Sequence, residues 1–147
     1  MRNWHLVLVL TIGLALTLTA CGEKPLLTRV SFDRDRITPN ADGDTDVLGI
    51  TYNLDRSAEI SITFEDQQGN RYVFRDHAHR GPSVDNPYEV LFSGVVDGYT
   101  LPDDTFDQFD VEKRVLQDGD YDWTLEAIDE TGHTEQVTGH LTIADAD

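Results

Sequence analysis

Four oxygen-bearing side chains, Asn40, Asp42, Asp44 and Asp46, stand at alternate positions around Gly43. Hard cations such as Ca²⁺ take oxygen ligands from acids spaced in this way. If Gly43 takes the place of the EF-hand's invariant loop glycine, the first ligand position falls on Thr38. The last, normally a bidentate Glu, falls on Gly49, so the EF-hand register fails at both ends. Two readings stand: a looser Ca²⁺ loop, or a turn whose Asn and Asp side chains hold their own backbone. Asp76, His77 and His79 offer a start for Zn²⁺ or Cu²⁺, but no third ligand is placed by sequence. The other reading of that cluster is a solvated strand-to-loop junction flanked by Arg75 and Arg80. Ca²⁺ is thus the one cofactor the pattern suggests.

Catalysis has little to draw on. Ser93 precedes Gly94, but Leu91 stands where a nucleophile elbow needs glycine. No Gly-rich phosphate loop follows a strand pattern. Asp and Glu total 28 against 11 Lys and Arg, so neighbours such as Asp103 and Asp104 carry no information by adjacency. The expectation is a non-catalytic protein. A formal charge of −17 argues against nucleic acid, whose phosphates require clustered Lys and Arg. The acid excess has two readings. One is an acidic stretch at 97–113, with Phe106 and Phe109 interleaved, that receives a cationic or cation-bridged partner. The other is a surface kept soluble at high salt, which resembles halophile proteins.

The chain has a single cysteine, Cys21, which excludes an internal disulfide framework. Arg2 is the only charge before Glu23, and residues 6–18 are apolar apart from Thr and Gly. That is a charged n-region and an h-region too short for a membrane span. The run ends in Leu18-Thr19-Ala20-Cys21, which resembles the lipobox of bacterial lipoproteins. The resemblance implies cleavage before Cys21, a diacylglyceryl thioether on its sulfur, and export to the extracytoplasmic face of a membrane. In a diderm cell, Gly22 rather than Asp after the cysteine points to the outer membrane. The expected organisation is a leader at 1–20, a short tether at 21–29 and one domain at 30–147.

That domain reads as strands. Residues 28–32, 47–54, 59–64, 71–74, 88–96, 121–128 and 134–143 are rich in β-branched and aromatic residues, and most alternate apolar with polar ones. No window sustains a helical apolar period. About seven strands in this length fit an all-β fold, an antiparallel immunoglobulin-like β-sandwich.

Two motifs carry a family resemblance. The segment Thr38-Pro39-Asn40-Ala41-Asp42-Gly43-Asp44 with Asp46 and Leu48 resembles the opening of Ig-like domains in bacterial envelope proteins. These include the flagellar hook-capping protein, the C-terminal module of gliding-motility-associated proteins and fibronectin-III-like modules of envelope subtilases. Asp118-Gly119-Asp120-Tyr121 resembles the turn that opens the penultimate strand in those domains, where the Tyr hydroxyl reaches back to the backbone. Residues 125–133 resemble the hairpin that follows. Ala41 departs from the usual Gly, and the Trp-Asp-Gly of many members appears only as Phe92-Ser93-Gly94 or Val96-Asp97-Gly98. Membership implies a building block or binding module. The expected function is a lipid-anchored, extracytoplasmic interaction or assembly module with an envelope protein or glycan as partner. A carbohydrate- or divalent-cation-binding lipoprotein is the alternative, with Tyr72, Tyr88, Tyr99, Phe106 and Phe109 as its aromatic candidates. An enzyme of unknown class is the remaining one.

Overall fold

The computed structural model describes residues 22, 24–105 and 111–146. Cys21, the leader expected at 1–20, Phe106 and Phe109 lie outside the described residues. Among the described residues there are ten strands and no helix: β1 (Leu27–Phe32), β2 (Arg36–Ile37), β3 (Leu48–Leu54), β4 (Ala58–Asp66), β5 (Arg71–Arg80), β6 (Tyr88–Phe92), β7 (Val95–Asp97), β8 (Lys113–Val115), β9 (Gly119–Asp129) and β10 (Thr134–Ile143).

The strands form a three-stranded sheet in the order β1-β3-β6, a five-stranded sheet in the order β2-β10-β9-β4-β5, and a ribbon of β7 and β8. All pairs are antiparallel except β2 with β10. Alternation along each strand decides which face is covered. On β9, Tyr121, Trp123, Leu125 and Ala127 are buried, whereas Asp122 between them is exposed. On β3, Leu48, Ile50, Tyr52 and Leu54 are all buried. The two larger sheets face each other through these side chains. Phe64 of β4 stacks on Phe92 of β6 at 4.4 Å, and Phe32 of β1 stacks on Trp123 of β9 at 3.6 Å.

Several strands depart from the sequence pattern. The run 88–96 is two strands, because Gly94 takes φ +80 and turns the chain after β6. The acidic stretch 97–113 is closed at its base, where Asp97 pairs with Lys113 across β7 and β8. β5 continues to Arg80, beyond the expected end at 74. β1 contains a bulge between Thr28 and Ser31, with Arg29 at φ 52. One extra residue there lets both Leu27 and Phe32 face inward although an odd number of positions separates them. Leu26 is fully buried, so the packed part reaches back ahead of residue 30.

Among the described residues, the register gathers the turns at two ends. Leu27 pairs with Leu54, Ala58 with Asp129 and with Arg80, and Tyr52 with Tyr88. The N-terminal entry of β1 therefore shares an end with the connections at 55–57, 81–87 and 130–133. Asp66 pairs with Tyr121, Ile143 with both Ile37 and Gly119, and Leu48 with Phe92. The loops at 38–47, 67–70, 93–94 and 116–118 and the residues after β10 accordingly share the opposite end.

Candidate functional site

At the entry end, the chain is held by a carboxylate from the far sheet. Glu135, on the inward side of β10, accepts the backbone N–H of Leu26 at 2.7 Å and of Leu27 at 2.8 Å, one on each oxygen. His133 Nε2 lies 3.2 Å from the same carboxylate. Burial alone would raise the Glu135 pKa. Donation from Leu27 and Leu26, with His133 beside it, outweighs burial and holds the group below its ordinary range.

Asp129, at the end of β9, organises the adjacent turn. Its Oδ1 accepts the Thr131 hydroxyl at 2.6 Å and the N–H groups of Thr131 and His133 at 2.9 and 3.0 Å. Its Oδ2 accepts Arg56 Nε at 2.7 Å. Hydrogen bonds from Thr131, Arg56 and the His133 and Thr131 backbone hold its pKa far below the carboxylate range. A group whose pKa is depressed by folding contributes stability that is fully present above its unfolded pKa, about 4 for Asp, and is lost as pH falls toward the folded value. Replacing Asp129 with Asn should therefore lower the melting temperature by a constant amount above about pH 4. The gap to wild type should narrow on further acidification. Thermal melts from pH 7 to pH 2 check this; a gap that widens in acid contradicts it.

The loop at 38–47 lies at the other end. Asp46 accepts the N–H of Ala41 at 3.0 Å and of Gly43 at 2.7 Å through its two oxygens. Asn40 accepts the N–H of Asp42, and Asp42 accepts that of Asp44. These side chains are turned onto the loop's own backbone. They hold Ala41, Gly43 and Thr45 at positive φ. Among the described residues, no group of three or more His, Cys, Asp or Glu side chains is arranged to hold a metal ion. His77, at the β5 bulge with φ 43, lies 3.1 Å from Glu59 Oε2.

The 118–121 turn is bound as a corner. The Tyr121 hydroxyl donates to the Gln117 carbonyl at 2.8 Å, and Asp118 accepts the Ala146 N–H at 2.9 Å. Burial pushes the Tyr121 phenol up to about 12. Tyr121→Phe removes one net hydrogen bond from a buried site and should cost about 1 kcal/mol. Denaturant titration should then show a lower midpoint at unchanged slope.

Tyr72 and Tyr99 come together with Tyr121, ring centroids 4.8 and 5.9 Å from Tyr72. Their hydroxyls are engaged: Tyr72 donates to Asp66 at 2.9 Å and Tyr99 to the Val115 carbonyl at 2.7 Å. Tyr88 is remote, stacked on Tyr52 toward the entry end. Tyr72, Tyr99 and Tyr121 thus brace the fold at one end, and Tyr88 does so at the other. The described part of the acidic loop is tied down by a bidentate pair, Arg114 to Asp104 at 2.6 and 3.0 Å. An open polar cleft of about 310 Å³ lies between Asp66, Gln68, Tyr72, Asp118, Asp120 and Tyr121.

Sequence reasoning singled out neither Glu135 nor Arg56. Asp129 did carry a signal, as the acid of the Asp-x-x-Gly turn at 129–132. The chain matches no family model, and no curated protein matches it.

Proposed function

We propose that this chain is an exported lipoprotein, acylated on Cys21, whose immunoglobulin-like domain is a non-catalytic interaction or assembly module of the cell envelope. The observation that carries the domain reading is the corner at Tyr121. A tyrosine near the start of the penultimate strand, with its hydroxyl on a backbone carbonyl four residues upstream, is a mark of Greek-key sandwiches of this type. The strand order supports it as well. The first part of the chain contributes β1 to one sheet and β2, parallel to the last strand, to the other. Two facing sheets of this kind give a rigid block with loops clustered at both ends, and loops on a rigid scaffold are where binding residues concentrate.

The anchor reading rests on the Leu-Thr-Ala-Cys run after an apolar segment, with the chain's sole cysteine at its end. Two or more acyl chains on one residue hold a protein firmly to a bilayer. The test is expression of the full chain in bacteria fed an alkyne-tagged palmitate. The expected product carries the tag, partitions into detergent and loses both properties in Cys21→Ser. An untagged product, or equal tagging of Cys21→Ser, overturns the reading.

A further inference from the structure

We propose that the end of the fold formed by the connections at 55–57, 81–87 and 130–133 is the surface that rests against lipid headgroups, and that the opposite, acid-rich end faces away from the membrane. The proposal rests on the Cys21 anchor and adds an orientation to it.

The first argument is reach. Leu26 is fully buried and its N–H is fixed to Glu135. Its carbonyl accepts the Asp55 N–H at 3.1 Å, and the Lys24 carbonyl accepts Arg56 at 3.4 Å. The chain is therefore held at the entry end from Lys24 onward. Leu26 lies only five positions after Cys21. Fully extended, that stretch spans at most about 18 Å. The strands run the length of the domain, and eleven residues of β9 cover about 37 Å at 3.4 Å each. A leash of about 18 Å on a body about twice as long lets the entry end touch the surface. It also opposes inversion, because the loops at 38–47 and 117–120 lie a full strand length farther from the anchor.

The second argument is charge, and it is independent of the first. The entry end mixes signs: Arg56 bonds to Asp129 and Lys24 lies 4.0 Å from Asp55, with Asp85 and Glu130 exposed on the neighbouring connections. The other end has the larger acid excess: Asp42, Asp44, Asp46, Asp103, Asp118 and Asp120 stand there against Arg36 and Arg71, while Lys113 and Arg114 are paired with Asp97 and Asp104. An anionic bilayer repels acids within roughly a Debye length, about 8 Å in physiological salt. Turning the acid-rich end outward removes that repulsion. It also presents the loops at 38–47 and 116–118 to the space where a protein partner would be met.

The test uses the full lipidated chain in vesicles containing anionic lipid. With Cys21 blocked by its thioether, a single new cysteine is the only free thiol. Val84→Cys and Glu130→Cys report on the entry end; Asp44→Cys and Gln68→Cys report on the other. Each carries a fluorophore, and the vesicles carry a headgroup-linked nitroxide quencher. The expected result is strong quenching at residues 84 and 130 and at least severalfold weaker quenching at 44 and 68. Equal quenching at both ends, or the reverse order, overturns the orientation. Failure of every variant to partition with vesicles instead overturns the anchor. Circular dichroism of each labelled variant confirms a folded domain, and two sites per end guard against the loss of one.

Discussion

Replacing Gly139 with Ala should lower the melting temperature by about 10 °C or more, at a cost of about 3 kcal/mol. A Cβ at this position would lie 2.3 Å from Cζ2, 2.5 Å from Cε2 and 2.9 Å from Nε1 of Trp123. Real Cβ atoms do not approach so closely, so the indole or the β10 backbone has to shift. The indole has nowhere to go. It lies flat against Phe32 on its other face, with ring centroids 3.6 Å apart and planes within 3°. Gly139, Trp123 and Phe32 thus form three consecutive layers from β10, β9 and β1, and the missing side chain is what admits the other two. Overpacked cores lose about 1–3 kcal/mol, and a contact pinned on both sides belongs at the top of that range. Trp123 is the only tryptophan after residue 20, so fluorescence reads this site directly. Gly139→Ala should shift the emission and weaken the near-ultraviolet dichroism along with the melting temperature. A variant that melts like wild type would show that the layer is looser than its geometry.

That layer illustrates what the sequence discloses and what it does not. The alternation of Tyr121, Trp123, Leu125 and Ala127 with polar neighbours announces β9 and its buried face without any structure. The same period places Val137, Gly139, Leu141 and Ile143 on one face of β10. It cannot say that Gly139 is small because an indole from the next strand covers it, since that depends on a cross-strand register. The bulge at Arg29 escapes for a related reason. An extra residue breaks the period that reveals strands, and only pairing with β3 restores it. β2, with two residues, is too short to have a period at all.

The polar sites divide along the same line. The loop at 38–47 is legible as a loop because Pro39, Asn40, Asp42 and Gly43 are turn residues within it. Whether its acids point outward to an ion or inward to the backbone is a matter of side-chain direction. Asp46 reaches back to Ala41 and Gly43. Glu135 is less legible still. In sequence it is one acid among 28. Its partners, the amides of Leu26 and Leu27, lie more than a hundred residues away and have no side-chain signature.

Removing that carboxylate should have the second large effect. Glu135→Ala should cost about 2–3 kcal/mol, because two charge-assisted hydrogen bonds vanish and two backbone donors at buried residues lose their acceptor. Glu135→Gln, with one carbonyl oxygen and one amide that opposes an N–H, should fall between wild type and Ala. The sign with pH follows from the depressed pKa. The clamp is fully formed above the unfolded Glu value, about 4.3, and weakens as pH falls below it. Hydrogen exchange gives the local reading: protection at Leu26 and Leu27 should drop in Glu135→Ala, while the β4–β9 ladder keeps its own. Unchanged exchange at those two amides would show that β3 alone holds the entry of β1. The same variant joins stability to placement. β1 would stay paired with β3, but the leash would lengthen whenever the remaining bonds of Leu26 to Asp55 and of Lys24 to Arg56 open without the clamp. The contrast in quenching between residues 84 and 44 should therefore shrink without reversing. The carboxylate of Glu135 would then set both how firmly the chain enters its fold and, on the proposed anchor, how closely the domain is held to the bilayer.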